Sequence, residues 1–166
     1  MGEVAAAAGV VRRTVYGHFP ARADLVRALA AQAGDELAAV LAELDDDRTP
    51  AERVWVGYVA RLWPLADRYR VLLVLRRSDV GDEIHALLEA PEARLGELVA
   101  RGQAAGGFGR HLPPDVLGRL AQASVFTLAD DARTHEGIDA TAAATTSLLV
   151  LGVPPARARS LAAGVG

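Results

Sequence analysis

Within seven positions near the start of the chain, Arg12, Arg13, Thr14, Tyr16 and His18 gather two guanidinium groups, two hydroxyls and an imidazole around the apolar anchors Val15 and Phe19. Such a set offers positive charge and hydrogen-bond donors, the chemistry that grips phosphate oxygens and reads base edges. Arginine pairs in an arbitrary helix are mostly solvated surface charges, but these stand at the head of a short helix and Arg22 follows closely. From Met1 to Gly34, Arg12, Arg13, Arg22 and Arg27 face only Glu3 and Asp24, a local positive surplus in a chain of net charge −3. A local patch of this kind is compatible with an acidic total.

The elements that must position these groups are legible in "EVAAAAGVVRRTVYGHFPARADLVRAL", Glu3 to Leu29. A short alanine-rich helix, a turn at Gly9 and a second short helix ending near Phe19 have the grammar of a helix-turn-helix. Gly9 permits a left-handed turn, Ala5 and Ala8 allow close approach, and Val4, Val10 and Val15 are the expected small core. The polar face of the second helix is then available to a DNA major groove.

These residues resemble the TetR/AcrR family of bacterial repressors. Val4 and Ala5, Ala8 to Val10, Thr14, Val15, Tyr16, His18 and Phe19 fall on the family pattern, and Arg22 takes the place of a lysine. The resemblance implies a homodimer whose N-terminal headpieces bind a palindromic double-stranded operator and whose C-terminal helices hold an inducer pocket and the dimer interface. It implies DNA contacts from Arg12, Arg13, Thr14, Tyr16, His18 and Arg22. Val11 stands where the family has a serine cap, Gly17 lies inside the recognition helix, and Ala21 replaces another cap. The family also has a helix before Val4, where this sequence has three residues, so weak operator binding is expected. Two alternatives follow: a helical ligand-binding dimer without effective DNA binding, and a small enzyme using the same pocket.

Apolar residues recur at three and four through the rest of the chain, which predicts an all-α fold with a headpiece over 1–34 and a ligand-binding and dimerisation body over 35–166. Leu25, Leu29, Ala33, Leu37, Val40, Leu41 and Leu44 mark a long helix from about Ala23 to the acids Asp45 to Asp47. "TPAE" predicts a start capped by Thr49 with Glu52 reaching back. Further starts are expected at Pro64, at Asp79 with Asp82, and at Pro91; a stop is expected at Gly106 and Gly107. Two helices from Pro114 to about Arg133 and from Ile138 to Leu151 follow, and then a last turn opened by Pro154 and Pro155.

Trp55, Tyr58, Leu62, Trp63, Tyr69 and Phe126 are the candidates to line a cavity for a small apolar effector, with Arg61 and His85 as polar guests; ordinary core filling is the competing reading for each. Leu117, Leu120, Ala121, Ser124 and Leu128 on one helix and Ile138, Ala142, Thr145 and Leu149 on the next are the expected dimer interface. His85, His111 and His135 have no partner at the spacing of a helical zinc site, and the absence of cysteine removes thiolate chemistry. No metal, cofactor or catalytic constellation is expected, so the chain reads as a binding protein and not an enzyme. The longest strongly apolar run, Val71 to Leu75, is far short of the roughly 20 residues of a membrane span, and no export signal precedes it. A cytoplasmic protein without a membrane partner is the expectation.

Overall fold

The computed structural model describes residues 1–44, 46, 48–75 and 81–165. Among these the chain is entirely helical: α1 (Gly2–Ala7), α2 (Arg12–His18), α3 (Arg22–Leu44), α4 (Ala51–Leu75), α5 (Gly81–Ala104), α6 (Pro114–Asp131), α7 (Ala140–Val150) and α8 (Pro155–Ala162). No described helix is long and apolar enough to cross a membrane. The expected start at Asp79 lies outside the described residues, as do Asp45 and Asp47.

α4 is the central post, packed against α3, α5, α6, α7 and α8. Its buried face is Val54, Trp55, Tyr58, Val59, Leu62, Ala66, Tyr69 and Leu72, a helical stripe that continues past Pro64. The expected break at Pro64 therefore does not occur. An interior proline removes one backbone hydrogen bond and costs about 3 kcal/mol, but Leu62 and Ala66 on either side are wholly buried. Burial of a large apolar side chain contributes about 1.5–3 kcal/mol, so the anchored flanks outweigh the local penalty. The same holds for α5, which runs through Pro91 with Leu88 and Leu95 buried on either side.

Pro91 also shapes the α3–α5 contact. It has no amide to offer the carbonyl four residues earlier, that of Leu87, and a Cβ added to Gly34 of α3 would lie 2.9 Å from that carbonyl oxygen. A glycine on one helix and a proline on the other thus let two backbones approach directly. The buried stripe of α3 is Val26, Ala30, Ala33, Gly34, Leu37 and Leu41, with Leu29, Val40 and Leu44 at its flank. One continuous α3 spans the expected boundary between 34 and 35, joining the headpiece to the body as a single rod.

At the start of α4 the expected capping box is absent. The Thr49 amide donates to Asp46 Oδ1 at 2.6 Å, which ties the α3–α4 turn. Glu52, almost wholly buried, accepts from Arg157 of α8 at 2.7 Å instead of reaching back to Thr49. The Thr49 side chain, and after it the Thr49 amide, is the main reason that the Asp46 carboxyl is held below its ordinary value. Elsewhere the sequence punctuation holds: Gly106 and Gly152 take positive φ of 75° and 82° after α5 and α7. Asp139 caps α7 by accepting from the Ala142 amide at 2.8 Å.

Candidate nucleic-acid interface and effector cavity

The headpiece turn is built as its composition requires. Gly9 has φ +66°, a left-handed conformation that glycine adopts without strain, and the Gly9 and Val10 amides close the end of α1 on the Ala6 and Ala5 carbonyls. Val11 precedes α2 without any side-chain cap. Ala5 and Val15 are buried between the two helices, whereas Val10, expected in this small core, is 41% exposed. The turn that Gly9 makes carries Val10 outward, and of Ala5 to Ala8, Ala5 alone is buried, so Ala8 does not serve the expected close approach. The side chain of Val4 lies outside the described ones.

Arg12, Arg13, Thr14, Tyr16, His18 and Arg22 are all exposed, Tyr16 by 47%. The five on α2 share its outer surface, and Arg22 opens α3 just beyond. Ala21 lacks a capping side chain, but Asp24 reaches back and accepts from the Ala21 amide at 2.8 Å. Arg27 belongs to a different task. It pairs with Asp24 at 2.5 Å and with both carboxylate oxygens of Glu83 on α5, which fastens α3 to the body. Of the four arginines in this region, Arg12, Arg13 and Arg22 are thus exposed, with the Arg12 guanidinium lying against Gly2 of α1, while the fourth is a structural strut.

In the body, a cavity of about 50 Å³ is walled by Ala33 and Leu37 of α3, Tyr69 and Leu72 of α4, Leu88, Pro91 and Glu92 of α5, and Arg119, Gln122, Ala123 and Phe126 of α6. Of the six aromatic and apolar residues expected to line it, Tyr69 and Phe126 do so. Trp55 is in the core, where its Nε1 donates to Ser147 Oγ at 3.0 Å. Leu62 is wholly buried in the packing of α4, and Trp63 is half-buried at the edge of the core. Tyr58 stands one step behind the wall: Gln122 Nε2 donates to its hydroxyl at 3.0 Å. Burial pushes the Tyr58 phenol well above its ordinary value, and the charge of Glu92 adds to the rise. Arg61 is on the outside, paired with Glu43.

Tyr69 is 2% exposed, and its hydroxyl makes no hydrogen bond of good geometry, although Glu36 and Arg68 stand beside it and act on it. Burial raises its phenol above the ordinary value. Glu36 and Arg68 lie nearby and pair with each other at 3.4 Å; Gln32 donates to Glu36 at 2.8 Å and is the main cause of that carboxyl's lowered pKa. Beside the cavity runs an open groove lined by His85, Ala86, Glu89, Glu92, Ala93, Asp115 and Arg119. Glu92 and Arg119 line both, so the groove adjoins the cavity wall. The polar residues Glu92, Arg119 and Gln122 escaped sequence reasoning, although a signal existed: Glu92 interrupts the apolar stripe Leu88, Pro91, Leu95 on α5.

The expected dimer stripe divides into two faces. Leu117 and Ala121 are wholly buried inside the protomer, so they have no surface left for a partner. Leu120 and Leu149 are 49% and 42% exposed. Ser124, Leu128, Ile138, Ala142 and Thr145 are half-buried. The correction is one of phase: on α6 the positions 117, 121 and 125 face α4 and α5, and the outward stripe passes through Leu120, Ala123, Ser124 and Thr127.

Residues 1–29 match the family model of bacterial regulatory proteins, tetR family. The whole chain is similar in structure to RolR in complex with the ligand resorcinol, at a TM-score of 0.68 and 18% identity over 97% of this chain and 81% of that one. Against RolR without ligand the TM-score is 0.63 at 23% identity, covering 98% of this chain and 84% of the other. At these identities the likeness is one of fold. No curated protein matches the sequence.

Proposed function

We propose that this chain is a TetR-type, ligand-responsive transcriptional repressor, a reading that its headpiece match and its fold support: a homodimer that binds a palindromic operator and releases it when a small apolar effector enters the body. One observation carries this reading. The helix that Arg22 opens beside the exposed face of α2 is the helix whose Ala33 and Leu37 wall the cavity. That RolR, of the same fold, takes resorcinol as a ligand supports reading the cavity as an effector site. The cavity, at about 50 Å³, is smaller than the roughly 150 Å³ known to admit benzene, so a ring-sized effector has to part the walls and move α3. Arg12, Arg13, Thr14, Tyr16, His18 and Arg22 contact the operator, and the outward residues of α6 and α7 around Leu120 and Leu149 pair the protomers. The protein acts in the cytoplasm, by binding rather than catalysis.

Selection from a random duplex library with the full chain tests this reading. Enrichment of a two-fold symmetric site, with half-sites about 34–36 Å apart, is expected. Arg22→Ala should weaken binding to every sequence and shallow the salt dependence by roughly 0.9 in slope, one phosphate contact fewer. Enrichment of no site at all would favour a helical ligand-binding dimer without DNA binding.

A further inference from the structure

We propose that Val11 is a specificity-determining residue that reads a thymine of the operator half-site, through contact with the C5-methyl group in the major groove. This rests on the proposed binding of α2 to DNA and adds an apolar reader to the polar groups already described. Val11 is 69% exposed, the highest value for any large apolar side chain among the described residues. Val10 and Tyr16 are exposed as well, so apolar carbon and positive charge share the stretch from Val10 to Tyr16.

The position is held from both sides. The Val10 amide donates to the Ala5 carbonyl at 3.0 Å and the Thr14 amide to the Val11 carbonyl at 2.9 Å, which ties this residue to α1 and to the first turn of α2. Its backbone is extended, at φ −76° and ψ 149°, and its side chain caps nothing. A β-branched side chain has few χ1 rotamers to lose when a partner covers it.

Charge selects the class of partner. Arg12, Arg13 and Arg22 are exposed, while Asp24 is engaged by the Ala21 amide and by Arg27. Such a surplus suits a polyanion. In the major groove of duplex DNA, adenine, guanine and cytosine present donors and acceptors, and thymine alone adds an apolar group, its methyl. Valine has no polar atom to replace the water that a donor or acceptor would lose, so the methyl is the feature that it favours.

A duplex recovered from the random-library selection, bound to the full chain and read by fluorescence anisotropy at fixed salt, tests the assignment. Each thymine is replaced in turn by uracil, symmetrically in both half-sites, which removes the methyl and keeps every hydrogen-bonding atom. One position should lose about four-fold in affinity per half-site, the worth of one buried methyl. Val11→Ser should abolish the difference between thymine and uracil at that position and at no other, while Val10→Ser should preserve it. Serine favours the residue preceding a helix, so a loss of discrimination in Val11→Ser does not come from a weakened α2. Indifference to uracil at every thymine, a half-site without thymine, or a thymine preference that survives in Val11→Ser would overturn the assignment and leave operator binding standing. Selection of no duplex would overturn the DNA-binding reading and the assignment with it.

Discussion

The hydroxyl of Tyr69 and that of Tyr58 are both buried, yet they stand in opposite states, the first without a hydrogen bond of good geometry and the second receiving Gln122. Leaving a buried polar group unsatisfied costs about 1–3 kcal/mol, while removing the group altogether removes that penalty. Tyr69→Phe should therefore stabilise the effector-free protein by about 1 kcal/mol, read as a raised denaturant midpoint at unchanged slope. Gln122→Leu should do the reverse, since it strips the Tyr58 hydroxyl of its donor. A loss of stability in Tyr69→Phe would show that the hydroxyl has a partner in the resting protein. Residue types alone gave part of this site. Aromatic residues on α4 and α6 were visible as candidates, but which of them faces a void depends on helix rotation, and Trp55 and Leu62 turned out to fill the core.

Among the elements, the α3–α5 contact decides an unusual sign. Glycine inside a helix is normally about 1 kcal/mol worse than alanine, so Gly34→Ala would stabilise most helices. Here the added methyl meets the Leu87 carbonyl at 2.9 Å, a backbone atom that cannot swing aside. Overpacking of this kind costs about 1–3 kcal/mol, so thermal unfolding of Gly34→Ala should show a lower midpoint; a higher one would mean that α3 and α5 separate freely. Helices and their glycine stops were legible in the sequence because a 3.6-residue stripe and a positive-φ glycine are local signals. Pro64 and Pro91 misled because their penalty is local while the burial that overrides it is tertiary. The exposed face of α2 was legible for the opposite reason: Arg12, Arg13, Thr14, Tyr16 and His18 owe their exposure to one short amphipathic helix and one glycine turn.

For the molecule as a whole, pairing through α6 and α7 predicts a division between two kinds of substitution. Leu120→Arg with Leu149→Arg, at positions half exposed on the protomer, should give a monomer by sedimentation with helical content unchanged. Ala121→Arg, at a wholly buried position, should unfold the protomer; a folded double mutant that still sediments as a dimer would move the interface elsewhere. In the proposed dimer, two-fold pairing makes any tilt of α3 count twice. Ala33 and Leu37, which wall the cavity, stand on either side of Gly34, so the cavity and the α3–α5 backbone contact act on the same stretch of the rod. Arg22 lies about 18 Å from Gly34 along α3, at a rise of about 1.5 Å per residue. The Arg27–Glu83 pair lies along that length. An exposed pair is worth only about 0–1 kcal/mol, so it would resist such a tilt only weakly. On the proposed reading, a tilt of about 10° at Gly34 would carry each headpiece by about 3 Å, as far as a hydrogen bond is long.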